Sequence, residues 1–248
     1  MNFTLKEMFL RLWREYFDDA ELPIVFYYTD DEKVVENDLT TSGRCLIADL
    51  VKVRKGTPLR FGINSIGCPG GRRYTGFSEN LSENIEYFLS CGITGVVEGE
   101  RYKKSPELVR EVMKKFSEFK APKKFIVFKR WDQLDESDEP EVVIFFAKPD
   151  VLAGLFNLAN FDEIEEGVIA PFGSGCSSIV MHPYIERKND PLRCVIGMFD
   201  ISARPYVYSD IQTFAVPITK FTRMVENIQV SFLITPTWGK IRKRIIQS

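Results

Sequence analysis

Histidine is nearly missing from this chain: His182 is the only one. A nucleophilic cysteine or serine therefore has one imidazole at most to serve as its base. Cysteine is scarce too, and badly spaced for staples. Cys45, Cys68, Cys91, Cys176 and Cys194 are odd in number, far apart and without a CxxC pair. That pattern argues against a disulfide framework and against a structural zinc site of ordinary spacing. No P-loop, dinucleotide fingerprint, HExxH or GxSxG motif occurs. No stretch approaches the roughly 20 apolar residues of a membrane helix, and residues 1–18 lack the unbroken apolar core of a secretory signal. The expectation is a cytoplasmic protein without a membrane span. Charge of one sign is not in excess either. Thirty-three basic and 35 acidic side chains leave a net charge of −2, which speaks against a nucleic-acid partner. The basic run Lys240, Arg242, Lys243 and Arg244 reads as a solvated helix end.

Aromatic residues, by contrast, are plentiful: 20 Phe and nine Tyr promise a substantial core. Phe3, Leu5, Met8, Phe9, Leu12, Trp13, Tyr16 and Phe17 recur at helical steps. Short β-branched and aromatic runs at 23–29, 58–63, 125–128, 142–146, 167–170, 194–199 and 213–216 predict strands. Helices are expected over 45–53, 81–90, 105–119 (Ser105 as cap, Pro106 at the first position), 150–160 and 217–233. Gly67 to Gly71 reads as a turn-rich loop, and Gly173 to Ser178 as a turn entering a helix that ends near Ile185. The acidic stretch 132–141 reads as a solvated connection. Interleaved helices and strands predict an α/β protein, a mixed sheet covered by helices, with an α+β arrangement as the alternative. Residues 1–248 form one compact unit in this reading. The order strand, helix, strand, cysteine loop, helix occurs over 23–119 and again over 141–233. This predicts two pseudo-symmetric halves in which Cys68 and Cys176 are equivalent. The plainer alternative is that α/β chains repeat such an order by chance.

Gly67-Cys-Pro-Gly-Gly71 with Tyr74-Thr-Gly-Phe77, Val143-Ile-Phe-Phe-Ala-Lys-Pro-Asp150 and Gly173-Ser-Gly-Cys176 resemble a prokaryotic family called domain of unknown function 169. The resemblance spans most of the chain and is most specific at the cysteine–glycine loop. It implies the two cysteine loops and brings no catalytic residue, cofactor or activity with it.

Two loops could carry chemistry. Cys176 follows Gly173, Ser174 and Gly175 and precedes an expected helix, where free amides would lower a thiol's pKa and a small anion could bind. The bland alternative is a buried, inert cysteine at a tight turn. Cys68 sits among Gly70 and Gly71, with Arg72 and Arg73 next to pair with a carboxylate or phosphate. The alternative there is a structural turn with two surface arginines. Cys45, Cys91 and Cys194 read as core. His182, six residues beyond Cys176, is poorly placed to pair with it along a helix. Three functions follow. The first is a small-ligand or cofactor-binding protein whose anionic ligand lies in a pocket bordered by Cys68, Gly70, Gly71, Arg72, Arg73, Gly173, Ser174, Gly175 and Cys176, outside the carboxyl ends of the strands. The second is a thiolate enzyme using Cys176 for acyl transfer or thiol redox chemistry. The third is a metal or iron–sulfur site through Cys68 and Cys176, which needs further ligands.

Overall fold

The computed structural model describes residues 3–35, 45–115 and 118–247. Among them is one seven-stranded sheet, in the order β2-β3-β1-β4-β7-β6-β5. The strands are β1 (Ile24–Thr29), β2 (Leu59–Gly62), β3 (Phe125–Arg130), β4 (Val142–Ala147), β5 (Val168–Ile169), β6 (Cys194–Gly197) and β7 (Gln212–Pro217). Neighbours are antiparallel except for the β5–β6 pair. The central pair, β1 and β4, sets Ile24 opposite Ile144. The expected α/β architecture is present, with each strand shorter or longer than its apolar run by one or two residues.

Both faces of this sheet are covered, which is why its strands read as unbroken apolar runs rather than alternating ones. Along β1, Ile24, Phe26 and Tyr28 point to one face and Val25 to the other, as the two-residue period of a strand requires. The Val25 face is packed by α1 (Phe3–Phe17), α6 (Pro149–Ala159), α8 (Ile218–Asn227) and α9 (Pro236–Gln247). Phe9, Trp13 and Phe17 of α1 make a ladder of rings, Trp13 stacking on Phe17 at 4.3 Å. Gly154 lets α6 approach this ladder: a Cβ there would lie 2.5 Å from Trp238 and 2.9 Å from Phe17. Near the far end of α6, the fully buried Lys220 of α8 donates to Glu163 at 2.7 Å, and Arg223 shares the same carboxylate.

The other face carries α2 (Leu46–Arg54), whose Leu46, Ile47, Leu50 and Val53 are buried. Gly56, at φ +97°, turns the chain out of α2 in the left-handed region that favours glycine. Beside α2 lie α3 (Pro69–Tyr74) and a helical segment that begins at 175, passes through a π-helical turn, Ser177–Met181, and ends as α7 (His182–Glu186).

Several expectations are revised. Residues 67–71 are not a free loop: Cys68 caps α3, and Pro69 takes the first helical position, where its missing N–H costs nothing. Between 81 and 90 only α4 (Ile85–Phe88) is helical, and α5 (Pro106–Met113) stops well before Phe119. Ser105 does cap α5, accepting the Leu108 amide. The acidic connection is not wholly solvated: Asp138 is buried, binds Lys129 at 2.8 Å through both oxygens and accepts the Tyr27 hydroxyl. Strand order runs outward as β1-β3-β2 on one side and β4-β7-β6 on the other. A twofold axis relating two antiparallel neighbours stands perpendicular to the sheet and keeps equivalent helices on one face. Here α2 and α6 lie on opposite faces. The position matching β2 belongs to β6, not to β5, the strand that leads to Cys176.

Candidate functional site

The first turn of α2 is where the two cysteine loops meet. A Cβ placed on Gly71 of α3 would lie 3.5 Å from the Leu46 Cβ, and one on Gly175 would lie 3.5 Å from Ile47 and 2.9 Å from Ala203. Both glycines are buried; each serves close approach of backbone to α2. Neither is open to a ligand as expected. Gly70, half-buried, has only the Cys68 sulfur near its missing Cβ, at 3.8 Å. Gly173 is half-buried and faces Ser177 and, at 3.7 Å, Nε2 of His182.

The meeting place differs from the one expected. β2 runs parallel to β1, and β5 antiparallel to it, so their carboxyl ends point to opposite edges of the sheet. The loops instead fold back over one face. Cys176 joins the apolar cluster on that face, with Cys45 packed against the same cluster.

Three sulfurs share this region. Cys176 is buried, and burial pushes its thiol well above the ordinary value; nearby Cys45, Cys68 and Asp200 push it further the same way. The expected lowered pKa is therefore overturned: the low-dielectric surroundings disfavour the thiolate more than the helix start favours it. That helix start is already occupied. Asp200 accepts the Gly175 amide at 2.9 Å, and the Ser174 hydroxyl accepts the Ser177 amide at 3.1 Å. Cys45 is half-buried at the cap position of α2, its thiol raised chiefly by burial. Cys68 is half-buried and its sulfur accepts the Gly71 amide at 3.5 Å. Cys91 is exposed, and Cys194 is buried in the opposite core, beside Lys220 and Glu163.

Asp200, Tyr74 and Cys45 complete the cluster, and sequence reasoning missed all three. Asp200 also accepts from Tyr102 and from the amide and hydroxyl of Ser202. Burial raises the Tyr74 phenol; Cys176 and Asp200 add to that, while Arg73 and Ser174 oppose it. A signal for Tyr74 lay in its place just after the glycine–arginine run; nothing in the sequence around Asp200 marks it.

Arg73 is the unusual member. It is only 9% exposed, and its Nε is buried without a hydrogen-bond partner. Among the described residues neither Arg72 nor Arg73 forms an ion pair, whereas Arg54, Arg130, Arg187 and Arg193 each hold a carboxylate. Half-exposed Arg72 matches the expected surface arginine; Arg73 does not.

His182 lies near Gly173 and Ser177, and burial lowers its pKa so that it favours the neutral ring. Among the described residues no three His, Cys, Asp or Glu side chains are grouped to hold a metal ion, so the metal alternative finds no donor set there. No helix of the described residues is long and apolar enough to cross a membrane. Cavities of about 450 and 500 Å³ lie elsewhere, one between Glu21, Lys148 and Ile211, the other beside Glu166 and Arg193.

A family model named DUF169 and described as uncharacterised ArCR matches residues 16–227. No curated protein and no solved structure matches the chain.

Proposed function

The chain belongs to the DUF169 family, and on that footing we propose that it binds a small anionic ligand through Arg73, beside the thiols of Cys45, Cys68 and Cys176. One observation carries the reading: among the described residues the buried Arg73 holds no carboxylate, and its Nε has no hydrogen-bond acceptor. A buried donor left without an acceptor costs about 1–3 kcal/mol, and a charged one is rarely kept unless something pairs with it. A carboxylate or phosphate supplied from solution would accept from Arg73 in the two-pronged geometry that guanidinium favours. Arg72, half-exposed and one residue away, supplies a second positive charge. Gly70 leaves the approach past Cys68 free of a side chain. The Gly175 and Ser177 amides take no part, because Asp200 and Ser174 already accept them. The balanced net charge of −2 suits a small molecule better than a polyanion.

The test is thermal unfolding with phosphate and with di- and tricarboxylates, on the parent chain and on Arg73→Met. An anion at about 100 times its Kd stabilises by roughly 2.7 kcal/mol, about 5–10 °C for a chain of this size. That gain is expected in the parent and absent in Arg73→Met. The variant without ligand is expected to match or exceed the parent in stability, since the unpaired charge is gone. Equal anion responses in both proteins, or a large loss of stability in Arg73→Met at all anion concentrations, would refute the reading.

A further inference from the structure

We propose that Cys45 and Cys68 form a dithiol that a low-molecular-weight disulfide oxidises to an intramolecular disulfide joining the starts of α2 and α3. This is independent of the anion-binding reading. Both cysteines occupy the cap positions of neighbouring helices. The first turns of those helices pack together through Gly71, whose missing Cβ has the Leu46 Cβ at 3.5 Å and the Cys68 Cβ at 3.6 Å. Both thiols lie close enough to Cys176 to raise its pKa, and Cys68 lies close enough to Cys45 to do the same. Both are half-buried, so a small oxidant reaches them. Cys176 beneath them is 6% exposed and is shielded. Both cap residues also have extended backbone (ψ 132° at Cys45 and 124° at Cys68), outside the regular helix, and closure requires their Cα atoms to come within the span of about 4.4–6.8 Å that a disulfide needs.

The roles within the pair differ. The Cys68 sulfur accepts an amide hydrogen bond from Gly71, whereas burial pushes the Cys45 thiol up, so Cys68 attacks first. Its thiolate displaces one half of the oxidant: the oxidant's S–S bond breaks, a mixed disulfide forms on Cys68, and one thiolate leaves and takes a proton from water. Cys45 then gives its proton to solvent, and its sulfur attacks the Cys68 sulfur of the mixed disulfide. The second half of the oxidant leaves as a thiol. Two protein thiols are oxidised, and one small disulfide is reduced to two thiols.

The test treats the folded, fully reduced chain with oxidised glutathione and reads intact mass and non-reduced peptide maps. The expected product lacks two hydrogens and contains a linked Cys45–Cys68 peptide. Cys45→Ser is expected to stop at one glutathione on Cys68, and Cys68→Ser to leave Cys45 and Cys176 unlinked. Excess reduced glutathione should reverse the closure. The wild-type map alone decides the matter should a variant fail to fold. Glutathione held on Cys68 without closure, a linked pair that includes Cys176 or Cys91, or closure only after denaturant would each overturn the proposal.

Discussion

Replacing Glu163 by Gln should be among the most damaging isosteric changes in this protein. The carboxylate is 11% exposed and holds two cations: Lys220, 1% exposed, at 2.7 Å, and Arg223. Gln keeps the shape and removes the charge. Lys220 then stays in the core beneath Gly167 and Cys194 with no counter-ion. Breaking a buried pair from one side costs about 3–5 kcal/mol. Against a typical total of about 5–15 kcal/mol, that is a large share. At roughly 2–4 °C per kcal/mol for a chain of this length, the unfolding midpoint should fall by about 6–20 °C. Lys220→Met provides the contrast. It removes the buried cation, fills the same space with apolar atoms and leaves Glu163 with Arg223, so it should cost about 1 kcal/mol or less. Adding Lys220→Met to Glu163→Gln should restore most of the lost stability. Thermal unfolding by near-ultraviolet circular dichroism, with urea titrations to check that the slope is unchanged, measures all three. A loss below about 1 kcal/mol for Glu163→Gln, or a worse result for Lys220→Met, would refute the argument that an orphaned buried charge dominates here.

Asp135 has its carboxyl held at about 2, first by the Ser137 hydroxyl and then by Lys129. A carboxyl lowered on folding adds stability above its unfolded value, near 4, and loses it as pH falls toward 2; an NMR titration of Asp135 should have its midpoint near 2, and a midpoint at the ordinary 3.8 would contradict this. Alkylation of the folded chain should modify Cys91 first, Cys45 and Cys68 more slowly, and Cys176 and Cys194 only on unfolding, following their exposure. Peptide mapping that finds Cys176 labelled as fast as Cys91 would show its burial to be wrong.

Much of the fold was legible because its strands are buried on both faces. The runs at 23–29, 125–128 and 142–146 carry enough β-branched and aromatic residues to be read without partners. So does α1, whose Phe9, Leu12, Trp13 and Phe17 keep a helical period. The small elements were harder. At Cys68 the glycine pair suggested a loop, and the helix signal of Pro69 was outweighed; a cysteine is an uncommon cap, so the usual Ser, Thr, Asp or Asn cue was missing. Cys45 looked like core for the same reason. Asp138 hides in an acidic run because its partners, Tyr27 and Lys129, come from two other strands. The site suffered most. That the Gly175 amide beside Cys176 is taken by Asp200, 25 residues on, is a tertiary fact with no local trace. Arg73 and Arg72 are indistinguishable by type; only packing makes one of them buried.

The position of β1 sets the timetable of synthesis. β1 is complete by residue 29, yet its partners are β3, over 125–130, and β4, over 142–147. Ile24 faces Arg130 in the finished sheet. At about 5–20 residues per second, a growing chain carries an apolar strand with no pairing edge for roughly 5–20 seconds. α1 shares the delay, because Phe9 and Trp13 pack on Trp131, Phe145 and Phe221. Pairings this distant slow the search for the native order. The N-terminal third should therefore stay unpaired and aggregation-prone until that point, and truncations that end before residue 130 should aggregate rather than fold.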